Sequence, residues 1–154
     1  MEQFDLVVIG AGPGGYTGAI RAAQLGLKVA VIEKDKTLGG TCLNVGCIPS
    51  KALLHSSEYY YEAKNDFDKH GIMISDIKLN LETMMSRKTK IVADLTGGIE
   101  FLFKKNKITW LKGYGKILTA TTVEVTTADG TKSVIETKNI TIATGSVPVE
   151  LPFL

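Results

Sequence analysis

The chain carries only two cysteines, four prolines and a single tryptophan in 154 residues. So little cysteine excludes a disulfide-stapled scaffold, the usual solution for a small secreted domain. No apolar run approaches the ~18 residues that a membrane-spanning helix needs. Charge of one sign is also missing: 18 Lys and Arg stand against 16 Asp and Glu, for a net charge of +2. The basic residues are dispersed, so there is no electrostatic case for nucleic acid. The opening Met1-Glu2-Gln3-Phe4-Asp5 sets no basic region before an apolar stretch and is not rich in Arg and Ser. The expectation is a cytoplasmic protein, or one of the mitochondrial matrix whose presequence has been removed.

Glycine is what the chain has in excess, with 16 residues clustered near 10–15, 39–46 and 97–98. Clusters of this kind mark backbone that turns sharply or approaches a ligand closely. The first follows an apolar run, Phe4 to Ile9, suited to a strand buried on both faces. A small-residue helix is expected from about Gly14 to Leu25, stopped by Gly26, with a second strand over Lys28 to Ile32 and Glu33 at its end. A helix is expected from Ser50 into the mid-sixties, and residues 65–79 show no clear period. Asn80 is a natural N-cap for a long helix whose apolar residues recur at helical spacing to about residue 105. Within it, Met84 and Met85 are expected in the core, and Gly97-Gly98 implies close packing or a break. Alternating patterns then predict strands at Ile108–Leu111, Lys116–Leu118, Thr122–Thr126, Ser133–Glu136 and Ile140–Ala143, with a hairpin at Asp129-Gly130.

Two groups of residues carry chemistry. Gly10, Gly12 and Gly15 match G-x-G-x-x-G between a strand and a helix, where glycine permits the turn, lets a pyrophosphate approach the backbone and allows close helix packing. Glu33 comes 18 residues after Gly15, where a carboxylate can accept from an adenosine ribose hydroxyl and would repel a 2′-phosphate. The motif by itself does not separate FAD from NAD. Cys42 and Cys47 are the second group, with four residues between them. Two thiolates do not close a zinc site, and neither His55 nor His70 stands at finger-like spacing. On a regular helix the pair would lie beyond the ~7 Å limit for bridging, so an active pair needs a distorted turn, for which Gly46 supplies the freedom. Two unpaired buried thiols remain the alternative that spacing alone leaves open.

The run from Gly39 to Lys51, GGTCLNVGCIPSK, closely resembles the redox-active motif of the pyridine nucleotide–disulfide oxidoreductases. The segments at 15–26, 95–99, Gly113-Tyr114-Gly115-Lys116 and Asn139 to Ser146 are similar to the same family, so the resemblance covers essentially the whole chain. It implies an α/β fold, a Rossmann-like parallel sheet with an inserted antiparallel β-meander, as in the FAD-binding domain of the two-dinucleotide-binding flavoproteins. It implies FAD as cofactor, held by Gly10, Gly12, Gly15, Glu33, Lys34, Gly40, Thr41, Gly115, Thr144, Gly145 and Ser146, with Lys51 beside the flavin ring. Cys47 would be the thiol facing the flavin and Cys42 the interchange thiol. Within the family the motifs are most similar to the enzyme that reoxidises protein-bound dihydrolipoamide with NAD⁺. That implies as partners the lipoyl domains of 2-oxo acid dehydrogenase or glycine cleavage complexes, and a homodimer, with no nucleic acid, membrane or metal. Ser50 before Lys51 speaks against glutathione reductase, whereas mercuric reductase is not separated by this part of the chain.

The sequence holds one dinucleotide motif, since Gly113-Tyr114-Gly115-Lys116-Ile117-Leu118 lacks a third glycine. The family's NAD-binding domain, dimer-interface domain and catalytic His–Glu pair would follow later than Leu154. Residues 1–154 are therefore expected to be the N-terminal FAD-binding segment of a larger enzyme, inactive alone. The alternative from another class is a non-catalytic dinucleotide-binding module.

Overall fold

The computed structural model describes residues 2–151; the closing Pro152-Phe153-Leu154 lies outside the described residues. The chain divides into two compact units, residues 1–40 with 97–154, and residues 41–96.

The first unit is built on a six-stranded sheet of order β3-β2-β1-β6-β5-β4. β1 (Gln3–Ile9), β2 (Val29–Glu33), β3 (Thr109–Lys112) and the second half of β6 (Lys132–Ile142) are mutually parallel. β4 (Tyr114–Thr119), β5 (Thr122–Thr126) and the first half of β6 form an antiparallel meander. The expected Rossmann-like sheet with an inserted meander is thus present. All five residues of β2 are buried, as a central parallel strand requires.

Both faces of the parallel part are covered. On one, Phe4, Val7, Ile9, Ala30 and Ile32 pack with Val123, Val125 and Ile135 of the meander. On the other, Val8, Val29 and Val31 pack with Ala19 of α1 (Pro13–Gln24) and Phe103 of α4 (Leu81–Lys105). α1 ends as expected: Gly26 has φ +91°, its N–H donates to Ala23 O at 3.0 Å, and Leu27 N–H donates to Ala22 O at 3.2 Å. These two bonds are the pair that terminates a helix in a left-handed glycine.

One strand replaces two in the region around residue 137. Sequence pattern places Ser133–Glu136 and Ile140–Ala143 apart, because Thr137-Lys138-Asn139 is polar. In the structure these residues are stitched to β1 instead. Lys138 Nζ donates to Asp5 Oδ1 at 2.7 Å and Asn139 Nδ2 donates to Asp5 O at 3.1 Å. Glu136 pairs with Gln3 of β1 and with Thr122 of β5, so the strand changes partner there without ending.

The second unit holds most of α2 (Gly40–Asn44), all of α3 (Cys47–Asn65) and the first part of α4. α3 starts three residues earlier than the pattern suggests, with Pro49 inside its first turn, where no amide is needed for the helix ladder. Asn80 caps α4 as expected, its Oδ1 accepting from Thr83 N–H at 2.9 Å. Two expectations for α4 fail. Helix runs unbroken through Gly97-Gly98, and a Cβ at either would meet open space, so neither a break nor close packing is found. Met84 is half-buried and Met85 exposed, so the methionine pair is not core.

Candidate functional site

In the first unit, the carboxyl ends of β1, β2, β3 and β6 lie along one edge of the parallel sheet, and the chain after β1 turns there. Gly10 makes that turn at φ +99°, and a Cβ on it would stand 2.3 Å from Ala143 O. A Cβ at Gly15 would lie 1.9 Å from Gly10 O, so glycine is a steric requirement at both positions. Gly12 is the N-cap of α1, Pro13 occupies its first turn, and no side chain caps it. No side chain therefore caps the first amides of the helix, and Gly12 and Gly14 leave the approach free of their own Cβ atoms. Such a glycine cradle on a helix N-terminus suits a pyrophosphate.

Around this cradle the structure brings together most of the residues singled out in the first unit. Gly39 N–H donates to Ala11 O at 2.8 Å, and a Cβ on Gly40 would come within 2.7 Å of Gly12 Cα. Glu33 is buried at the end of β2, and its carboxylate accepts from Ala11 N–H at 2.8 Å and from Asp35 N–H at 2.9 Å. These two backbone partners were not legible in the spacing of the motif. Lys34 is exposed, its ammonium 5.9 Å from the centre of the Tyr114 ring. Thr144, Gly145 and Ser146 follow β6 at the same edge, exposed, with Gly145 at φ +74°. Gly115 has a packing role in any reading, because a Cβ there would press on Ile32 Cδ1 at 3.1 Å and Ile9 Cγ2 at 3.2 Å. Gly113, at φ +153° with a Cβ position 2.3 Å from Thr126 O, is the glycine on which the entry to β4 depends.

In the second unit, the regular helix that would separate the cysteines is interrupted. Val45 and Gly46 both donate to Thr41 O, at 3.0 and 2.8 Å, closing α2, and Gly46 (φ −115°, ψ −104°) turns the chain into α3. The Cys42 and Cys47 thiols are thereby brought near enough for Cys47 to act on the Cys42 thiol. Both are free thiols, Cys42 half-buried and Cys47 exposed. Interaction with Cys47, reinforced by burial, pushes the Cys42 thiol above the ordinary thiol range, while the Lys51 ammonium pulls it part of the way back. Lys51 is thus close enough to act electrostatically on the thiol pair, one turn into α3 from Cys47. His55 and His70 are both exposed, and His55 stacks on Tyr59 with ring centres 4.4 Å apart. Among the described residues no His, Cys, Asp and Glu group is arranged to hold a metal, and no helix is long and apolar enough to cross a membrane.

A family model for pyridine nucleotide-disulphide oxidoreductases matches residues 4–153. Leghemoglobin reductase of Vigna unguiculata is 58% identical over 151 residues, covering 98% of this chain and 29% of that protein. Mitochondrial dihydrolipoyl dehydrogenase of Pisum sativum is 56% identical over 151 residues, 98% of this chain and 30% of that protein. The mitochondrial dihydrolipoyl dehydrogenase of Sus scrofa is 58% identical over 149 residues, 96% and 29% respectively. The chain spans about three tenths of the length of the curated relatives it matches.

Proposed function

The chain belongs to the pyridine nucleotide-disulphide oxidoreductase family, and from that premise we propose that residues 1–154 form the FAD-binding, redox-disulfide part of a dihydrolipoyl dehydrogenase. The observation that carries this reading is the thiol pair, two free cysteines brought together across the Gly46 break, with Cys47 and the Lys51 charge both acting on the Cys42 thiol. The glycine cradle with Glu33 supports the cofactor half of the reading. Gly10, Gly12 and Gly15 would receive the pyrophosphate, Glu33 the ribose, and Lys34, Gly40, Thr41, Gly115, Thr144, Gly145 and Ser146 the rest of the dinucleotide.

In this scheme the enzyme oxidises protein-bound dihydrolipoamide. With Cys42 and Cys47 joined as a disulfide, a lipoyl thiolate attacks the Cys42 sulfur, and Cys47 leaves as thiolate. The second lipoyl thiolate then displaces Cys42, releasing the cyclic disulfide and leaving both cysteines reduced. Bound FAD would supply the two-electron acceptor that reoxidises the pair and the hydride donor for NAD⁺. Lys51 stabilises negative charge beside the thiols, and Cys42, with its raised pKa, holds a proton longer than a free thiol would. The NAD site, the general base and the homodimer contacts belong to the rest of the enzyme, and lipoyl domains are its partners. Several relatives are named as mitochondrial, which makes the matrix the favoured one of the two locations. The name leghemoglobin reductase is carried by relatives of similar identity, but a paired dithiol suits a disulfide substrate better than a haem protein.

Titration with FAD tests the cofactor half. The chain is expected to take up one FAD per molecule and to turn yellow after gel filtration. A chain that stays colourless after reconstitution is instead the non-catalytic module.

A further inference from the structure

Glu33 is doing something besides waiting for a ribose. It is 6% exposed, and both carboxylate oxygens are already engaged by backbone amides, Ala11 N–H on Oε2 and Asp35 N–H on Oε1, at 2.8 and 2.9 Å. Ala11 is fully buried and lies between Gly10 and Gly12, the two glycines of the turn. Its carbonyl is held as well, by Gly39 N–H at 2.8 Å, and Gly10 N–H is fixed to Ile32 O at 2.8 Å. The end of β2 and the segment that follows it therefore grip the glycine turn from both sides of the Ala11 peptide.

We infer that Glu33 is a latch that sets the shape of the phosphate-binding turn before any dinucleotide arrives, a positioning role independent of a ribose contact. This rests on the proposed dinucleotide reading of the turn. An ionised carboxylate presents acceptors only, which is what two N–H donors need. A glutamine in its place offers one acceptor and one NH₂ donor, so either Ala11 or Asp35 loses its partner and faces another donor. A buried amide left so is costly, and the turn it belongs to is the one meant for the pyrophosphate.

Two measurements separate the latch from a ribose ligand. The first is amide hydrogen exchange in the nucleotide-free protein. Ala11 N–H is expected to be protected in the wild type and to exchange at least about tenfold faster in Glu33→Gln, with Gly10 N–H, bonded to Ile32 O, much less affected. Equal acceleration at both amides, or an unprotected Ala11 in the wild type, overturns the latch. The second compares ADP with 2′,3′-dideoxy-ADP, which lacks the ribose diol, as a chemical double-mutant cycle. The latch predicts that Glu33→Gln weakens the dideoxy analogue by about tenfold, and ADP by at least as much. A loss confined to ADP makes Glu33 a ribose ligand only and leaves the proposed function standing. Should Glu33→Gln fail to fold, Glu33→Asp, whose shorter carboxylate cannot span both amides, gives the same cycle. Wild type that binds neither nucleotide overturns the proposed function, while exchange at Ala11 still decides the latch.

Discussion

Cys42 and Cys47 differ in their surroundings although they lie side by side across the Gly46 break. Cys47 is exposed, and Cys42 is half-buried with its pKa raised chiefly by the Cys47 contact. The thiolate is the reactive form, and a raised pKa lowers its fraction at any given pH. In the reduced protein without flavin, alkylation is therefore expected at Cys47 first, with Cys42 gaining on it as pH rises. If Cys47 faces the flavin in the working enzyme, FAD saturation reverses that order, leaving Cys42 open to an incoming lipoyl group. Mass spectrometry after limited alkylation reads both states; an order unchanged by FAD would reassign the two thiols. At this scale the sequence was informative about residue identity and uninformative about partners. An active pair at this spacing needs a distorted turn between the cysteines, and the Gly46 break supplies it. Nothing in the spacing announces that Glu33 binds Ala11 and Asp35, because those contacts depend on where the chain returns after β2.

The element scale is where pattern and structure part most clearly. β1, α1, β2 and the Asp129-Gly130 hairpin follow from periodicity and turn chemistry, Gly130 taking φ +84° and Thr127 N–H bonding Thr131 O at 3.0 Å. β6 does not, because the polar residues at its centre are tertiary ties to β1. The shortest of these is the Asp5–Lys138 pair, at 2.7 Å. The Lys138 hydrogen bond, with help from Lys28 N–H, holds the Asp5 carboxyl below the usual carboxylate range, and Asp5 in turn raises Lys138. A depressed carboxyl contributes stability above its unfolded pKa of about 3.9, and that contribution is lost as pH falls through the folded value. The raised lysine contributes below its unfolded pKa of about 10.4, and that part is lost as pH rises through its folded value. Asp5→Asn should therefore lower the melting temperature near pH 7, and the gap to wild type should close as pH falls below about 4. A gap of constant size down to acid pH would mean that the carboxylate charge is not what ties β6 to β1.

At the scale of the whole molecule, the sequence already contained one dinucleotide motif, one dithiol and two histidines, and the structure leaves both histidines exposed. What periodicity could not convey is the division of α4 between two units, or the exposure of Met85 and of Gly97-Gly98, since a 3.6-residue period shows an apolar face without saying what covers it. A positioned base typically contributes ~10²–10⁴ in rate, and the single dinucleotide motif is taken by FAD in the proposed function. The 154-residue chain saturated with FAD is thus expected to show no lipoamide-dependent NADH oxidation above a Cys42→Ser control. Cysteine-dependent turnover at the level of an intact enzyme would place a base and a nicotinamide site within these residues.

The central claim is that a thiol of this pair works against a flavin, and absorbance tests it most directly. Cys42→Ser and Cys47→Ser variants, each reconstituted with FAD, leave one thiol apiece. The account predicts a long-wavelength absorbance band in Cys42→Ser, where Cys47 is the thiol left beside the flavin, and no such band in Cys47→Ser. A band in Cys47→Ser alone, or in neither variant, would contradict it.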